Sequence, residues 1–205
     1  MPFDFLRRKS GQQSEATGPG PEANAPAGSH ESGSPGGHAA GAGSRFDGLT
    51  EDWRLTGIMH IEGRLSDALN RREAITISDV QWAPVDGSAP LAPAPGLKSI
   101  DPYDLIAVLA GPDTVPELTE EERIARRVRK EPYEVVLEAP QYRIMGTVHV
   151  FPGTDPRQML DQVAEMFLPL TGAVAYVGDR LVADAGVEVV LVNRLYVRGV
   201  EETGR

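Results

Sequence analysis

The chain has 205 residues, a formal net charge of −10 at pH 7 and no cysteine. The lack of cysteine excludes disulfides, zinc sites built on thiolates and thiol nucleophiles. The acidic charge repels phosphate backbones, which disfavours nucleic acid as a partner unless a local basic patch overrides it. The sequence contains no apolar run long enough for a spanning helix, and its start lacks the apolar core of a secretory signal. We therefore expect a cytoplasmic protein.

The first nine residues, 1–9, combine apolar and cationic side chains. The five that define this peptide are Phe3, Phe5, Leu6, Arg7 and Arg8. Such a tip is typical of a short docking peptide, and its composition gives only marginal affinity for an anionic membrane. A groove on a protein partner is the favoured target, and an ordinary frayed terminus is the alternative.

Residues 10–44 are rich in Gly, Ala, Ser and Pro and contain no Val, Ile, Leu or aromatic residue. Such a stretch cannot bury enough apolar surface to offset its ordering entropy, so we expect a disordered linker. The remaining residues suffice for a hydrophobic core. We expect a first β-rich repeat at 45–111, a connecting segment at 112–131 and a second β-rich repeat at 132–205.

An internal repeat is the strongest pattern in the sequence. WRLTGIMHI at 53–61 matches YRIMGTVHV at 142–150 in its aromatic, Arg, Gly and His positions. Two further blocks recur in the same order, at 77–80 with 170–173 and at 100–108 with 192–200. Three blocks in one order predict two tandem copies of one unit.

The first block of each copy alternates apolar and polar residues, which predicts a half-buried strand. Gly57 and Gly146, in the middle of these strands, predict a bend or a close approach of another backbone. A short helix should follow, ending at Asn70 in the first copy. In the second copy Asp155 is the expected cap, and the apolar stripe runs on to Phe167.

The end of each copy predicts further strands. We expect strands at 75–82 and 168–176, and then, in the second copy, a hairpin-like pair at 187–192 and 195–200. A strand at 133–138 leads into the second copy, whereas we find no matching strand before the first.

Between the copies, Thr119 and Glu122 form a capping-box signature, and basic residues from Arg126 to Lys130 close the predicted helix. We interpret this segment as a connecting helix, with a basic contact surface as the alternative.

The second copy and its leading strand read EVVL…YRIMGTVHV…FLPLTGAVAY…VEVVLVNRLYVRGV. This order resembles the strands of the Sm-like small β-barrels over 133–200, and over 53–108 in the first copy. The resemblance implies a barrel shape. Sm-like proteins bind RNA through an Asp/Asn loop and an Arg-Gly turn. Here a helix replaces the loop, and the turns carry Asp101-Pro102 and Asn193-Arg194, so the binding residues do not carry over.

Two repeated residue types are candidates for a site. His60 and His149 could meet across a pseudo-twofold axis at a metal or a titrating switch, or each could hydrogen-bond locally. Arg54 and Arg143 could bind an anion, or each could pack its stem and pair with a neighbouring acid.

The sequence thus predicts a β-rich α+β fold with two tandem small β-barrel or curled-sheet units, each with a short helix, behind a disordered N-terminal tail. It contains no phosphate-cradling Gly loop before a helix and no G-x-S-x-G elbow. We expect a non-enzymatic binding or adaptor protein with a protein partner and without metal or cofactor. An Sm-like nucleic-acid or nucleotide binder is the alternative, and a metal or enzyme site at the paired histidines is the third possibility.

Overall fold

The computed structural model describes residues 43–110, 130–183, 187 and 189–204. We call residues 43–110 the first half and residues 130–204 the second half. The N-terminal docking peptide and the connecting helix that the sequence predicts lie outside the described residues, as does the predicted linker except for its last two residues.

Strands dominate both halves. The first half contains β1 (Gly43–Leu49), β2 (Trp53–His60), α1 (Leu65–Asn70), β3 (Ile75–Pro84), β4 (Ala92–Pro93), β5 (Ser99–Ile100), a 3-10 turn (Pro102–Asp104) and β6 (Ala107–Ala110). The second half contains β7 (Glu131–Ala139), β8 (Tyr142–Val150), a 3-10 turn (Pro156–Gln158), α2 (Met159–Gln162), β9 (Phe167–Val177), β10 (Arg180–Ala183), β11 (Val189–Asn193), a 3-10 turn (Arg194–Tyr196) and β12 (Gly199–Gly204).

These strands form one open antiparallel sheet in the order β12-β7-β8-β9-β11-β6-β1-β2-β3-β4, with β10 paired to β9 and β5 paired to β3. Within each half the strand neighbours follow one order, β6-β1-β2-β3-β5 in the first and β12-β7-β8-β9-β11 in the second. The halves join where β11 pairs with β6. The predicted β-rich class is therefore confirmed, with two short helices in the described part of the chain.

Both halves interrupt the pairing of their second and third strands at the same place. The register shifts at Gly57 in the first half and at Gly146 in the second. A β-carbon on Gly57 would lie 2.8 Å from the carbonyl oxygen of Ser78, and one on Gly146 would lie 2.9 Å from the Cβ of Ala173. The predicted close approach at these two glycines is confirmed, because a side chain would collide with the neighbouring strand.

The two halves share the strands at their junction. The side chains of β6 and β11 alternate between two hydrophobic clusters, one formed mainly by each half. Those in the first half's cluster are Val108, Ala110 and Leu191, and those in the second half's cluster are Ala107, Leu109, Val190 and Val192. Burial on both faces explains why these two strands read as uninterrupted apolar runs rather than as alternating ones.

The helices match the sequence in the first half and are shorter than expected in the second. The first helix ends at Asn70, as predicted, and the carboxylate of Asp155 accepts a hydrogen bond from the Arg157 N–H. The predicted stripe to Phe167 is wrong, because α2 ends at Gln162. The side-chain oxygen of Asn70 instead accepts the backbone N–H of Phe167, which fixes the start of β9 across the junction.

Two further expectations are wrong. The last two strands form no hairpin: β11 pairs with β9 and β6, while β12 crosses to pair with β7. The first half also has a leading strand, since β1 begins at Gly43, inside the predicted linker, and pairs with β2 and β6. Its Gly- and Ser-containing start is stabilised by pairing with β2 rather than by its own β propensity.

None of the helices in the described part of the chain is long and apolar enough to span a membrane.

Candidate binding cleft between the two halves

The repeated histidines lie on exposed strand positions and bind hydroxyl groups of the adjacent strand. The Nε2 atom of His60 lies 3.0 Å from Oγ of Ser78, and Nε2 of His149 lies 3.1 Å from Oγ1 of Thr171. Each contact lies beside the register shift of its own half. Both histidines therefore hydrogen-bond locally across two strands.

The structure does not bring the two histidines to a common site. Four strands, β9, β11, β6 and β1, lie between β8 and β2 along the sheet. Within the described ranges, no group of three or more potential His, Asp or Glu ligands could hold a metal ion. The contacts at His60 and His149 thus describe two separate surface hydrogen bonds.

The two repeated arginines differ in their partners. The Nε atom of Arg54 donates to Oδ1 of Asp47 over 2.9 Å, and its Nη2 atom donates to Oδ2 of the same carboxylate. This hydrogen bonding raises the pKa of the Arg54 guanidinium, against an opposing effect of burial. Arg143 is exposed and lies opposite Glu138. Val136 occupies the position that corresponds to Asp47, so the bidentate pair cannot form in the second half.

Arg54 also lines a cleft of about 380 Å³ that both halves build. The first half contributes the end of β3 and the loop after it, and the second half contributes β10. The residues that line the cleft include Arg54, Val85, Gly87, Leu91, Arg180 and Val182.

Arg180 lies in this cleft and binds the opposite half. Its Nη1 atom donates a hydrogen bond to the carbonyl oxygen of Val85. Gly87 has a φ of 75°, and a β-carbon there would lie 2.5 Å from the Cζ atom of Arg180. The loop therefore favours glycine at this position for its backbone conformation, and the guanidinium of Arg180 would have to shift to admit a β-carbon.

Both arginines of the cleft have an acidic neighbour. Arg54 is paired with Asp47, and Asp86 lies in the loop beside Arg180. Hydrogen bonds from Ser88 lower the pKa of Asp86, and the charge of Arg180 adds a smaller effect. Arg180 itself is exposed, so its guanidinium is accessible to a ligand that enters the cleft.

Sequence reasoning identified Arg54 because it recurs, but it missed Arg180. Arg180 follows a turn within the second half, and no local pattern distinguishes it from other surface arginines. Its position beside Val85 depends on the pairing of distant strands.

Asn193 and Asp101, at the turns where Sm-like proteins would bind RNA, make hydrogen bonds within the fold. Asn193 is fully buried, its Nδ2 atom donates to the carbonyl oxygen of Leu105 over 2.9 Å, and its Oδ1 atom accepts from the Leu195 N–H over 3.1 Å. Asp101 caps the corresponding turn by accepting the N–H of Tyr103. These contacts count against the Sm-like binding alternative at Asn193, because its polar atoms face the protein interior.

Comparison of this chain with protein-family models, with curated proteins and with solved structures gives no match.

Proposed function

We propose that the protein is a non-enzymatic binding or adaptor protein whose cleft accepts an acidic group of a partner. The observation that carries this proposal is that Arg54 and Arg180, one from each half, line the same cleft. We propose further that the two halves are copies of one small barrel-like unit. Their common strand order and matched register shifts support this duplication.

The chemistry of the cleft favours a carboxylate ligand. The planar guanidinium fork matches a carboxylate in two parallel hydrogen bonds, and Arg54 already binds Asp47 in this way. The contact with Val85 and the close fit to Gly87 hold Arg180 in place, which lowers the entropy cost of binding. Leu91 lines the same cleft and offers an apolar surface to the stem of an acidic side chain.

The lining of the cleft supports binding rather than catalysis. Among the described residues that line it, none is Ser, His, Asp or Glu. A hydrolytic or transfer reaction needs a nucleophile or a general base within hydrogen-bond reach of the substrate. The cleft provides cationic donors and apolar contacts, which together suit recognition.

The predicted docking peptide at Phe3, Phe5, Leu6, Arg7 and Arg8 provides the second contact of the proposed adaptor. It would engage a protein groove, while the cleft engages an acidic group. A linker of the predicted length allows both contacts on one partner and raises the effective concentration of the second.

The cleft is tested by titrating the ¹⁵N-labelled full-length chain with glutarate, and with the neutral glutaramide as a control ligand. We expect saturable shifts of the Gly87 amide and of arginine Nε–H resonances, with a dissociation constant of about 1 mM for so small a ligand. The variant Arg180→Met should abolish these shifts, whereas Arg157→Met, at an exposed site in the second half, should retain them. Equal shifts in both variants would reject the cleft as the site.

The adaptor function is tested by crosslinked capture from the native host with three versions: the full-length chain, a deletion of residues 1–9 and Arg180→Met. A partner that is retained by the full chain and lost from both altered versions supports two contacts. Loss on deletion alone would leave the cleft without a role in that partnership. Capture of RNA in a strongly salt-dependent manner would instead favour the nucleic-acid alternative.

A further inference from the structure

The junction between the halves joins two strands that occupy different places in their units. The strand β6 is the neighbour of β1, and the strand β11 is the neighbour of β9. The corresponding strands of the other half are β12, the neighbour of β7, and β5, the neighbour of β3. The junction thus uses one β6-type edge and one β11-type edge, and leaves one edge of each type on the outside.

The two outer edges form the same combination as the two inner edges, one of the β6 type and one of the β11 type. Among the described residues, β12 has β7 as its strand partner and ends the sheet, while β5 pairs with β3 alone. We propose that two copies of this chain associate head to tail, with β12 of one copy pairing antiparallel to β5 of the next. This proposal rests on the sheet edges and is independent of the ligand in the cleft.

The register of the inner junction predicts the register of the outer one. Ile100 pairs with Ile75 as Val192 pairs with Leu168, so these two strands correspond residue by residue at an offset of 92. The strands β6 and β12 correspond at the same offset, because Ala107 faces Leu49 as Gly199 faces Glu138.

Transfer of the inner register therefore places specific residues opposite each other. In the inner junction, Val190 faces Leu109 and Leu191 faces Val108. In the proposed contact between two copies, the corresponding pairs are Lys98 opposite Glu201 and Ser99 opposite Val200. Lys98 and Glu201 are both exposed in the single chain.

The charge pair distinguishes this contact from the apolar inner junction. An opposite-charge pair directly across two strands is favourable, whereas like charges there are unfavourable. The outer contact consists of one such pair and a short backbone ladder, and is therefore weaker than the inner junction and sensitive to salt. Because its two surfaces differ, it produces rings if the rotation closes and open chains if it does not.

The test is sedimentation of the full-length chain over a range of concentrations at low and high salt. We expect species larger than the 22.1 kDa monomer that dissociate on dilution and as salt rises. Each single reversal, Lys98→Glu or Glu201→Lys, should weaken association roughly tenfold, because like charges then face each other. The double variant should return to within about threefold of the original.

Asp179→Lys serves as the control for net charge, since Asp179 is exposed in the turn between β9 and β10, two strands that take no part in the proposed contact. A chain that sediments as a 22.1 kDa monomer at every concentration overturns the proposal. It is also overturned if the reversals at Lys98 and Glu201 act no more strongly than Asp179→Lys. Weakening by both single variants without recovery in the double variant overturns the register.

Discussion

The 3-10 turns after β5 and β11 make the same local contact in different surroundings. The side chains of Asp101 and Asn193 each accept the N–H two residues later, over 3.0 and 3.1 Å. Asn193 lies at the junction, is fully buried and also donates to the carbonyl oxygen of Leu105, whereas Asp101 is exposed beside the outer edge strand. A buried carboxylate would be costly and could not donate when ionised, so the amide fits the junction and the acid fits the edge.

The largest expected effect comes from removing the buried cap at Asn193, compared with the exposed cap at Asp101. Asn193→Ala leaves the buried carbonyl of Leu105 and the partly buried N–H of Leu195 without their partner, which should lower the free energy of unfolding by about 2 to 3 kcal/mol. Asp101→Ala removes an exposed cap and should cost about 0.5 to 1 kcal/mol. Urea unfolding of both variants measures the difference, and equal losses would show that burial at the junction does not matter.

Trp53 and Tyr142 are a second pair of corresponding positions, and their side chains contact different kinds of partner. Trp53 packs against Trp82 with ring centroids 4.1 Å apart, within the first half. Tyr142 donates its hydroxyl to the carbonyl oxygen of Thr50 over 2.5 Å and so links the halves. Burial, with a smaller contribution from the charge of Asp52, raises the pKa of the Tyr142 hydroxyl.

The raised pKa predicts an alkaline loss of stability. The neutral phenol is favoured in the folded state, so its contribution is complete below the unfolded pKa of about 10 and is lost as the pH rises above that value. Tyr142→Phe should cost about 1 kcal/mol at neutral pH and should flatten the decline between about pH 9 and pH 11. Chemical unfolding across this range measures both, and unchanged slopes would contradict the assignment.

The smallest expected effect is at Asp79, one of the two residues opposite the register shifts. Asp79 and Gly172 share a left-handed backbone, with φ values of 52° and 57°. Gly172→Ala should cost about 1 kcal/mol through backbone strain alone, because a β-carbon there meets no atom within 4 Å. Asp79→Gly should change stability by less than about 0.5 kcal/mol, since relief of strain offsets the greater entropy of the unfolded chain. Thermal unfolding of both variants checks this order, and a larger effect at Asp79 would reverse it.

Only part of the candidate cleft could be predicted. Arg54 was a candidate because it recurs in the sequence. Pairing with an acid was one of the two predictions for it, and the ion pair with Asp47 confirms this pairing. Arg180 could not be predicted from the sequence, because its contact with Val85 joins a strand of one half to a loop of the other. A long-range contact of this kind leaves no periodicity in the local sequence.

The sequence by itself determined the features that depend on near neighbours. Alternation predicted the strands around Gly57 and Gly146, and a short apolar stripe predicted a helix that ends at Asn70. These features follow from the period of the side chains and from the special backbone of glycine.

Only the tertiary structure decided which strand edges meet. It pairs β11 with β6 instead of with β12, extends the sheet with β1 from a Gly-rich start, and buries Asn193 between the halves. The physical reason is that backbone hydrogen bonds between strands carry little sequence information. Their partners are selected by the burial of two apolar strands on both faces at once, and this burial exists only in the assembled sheet.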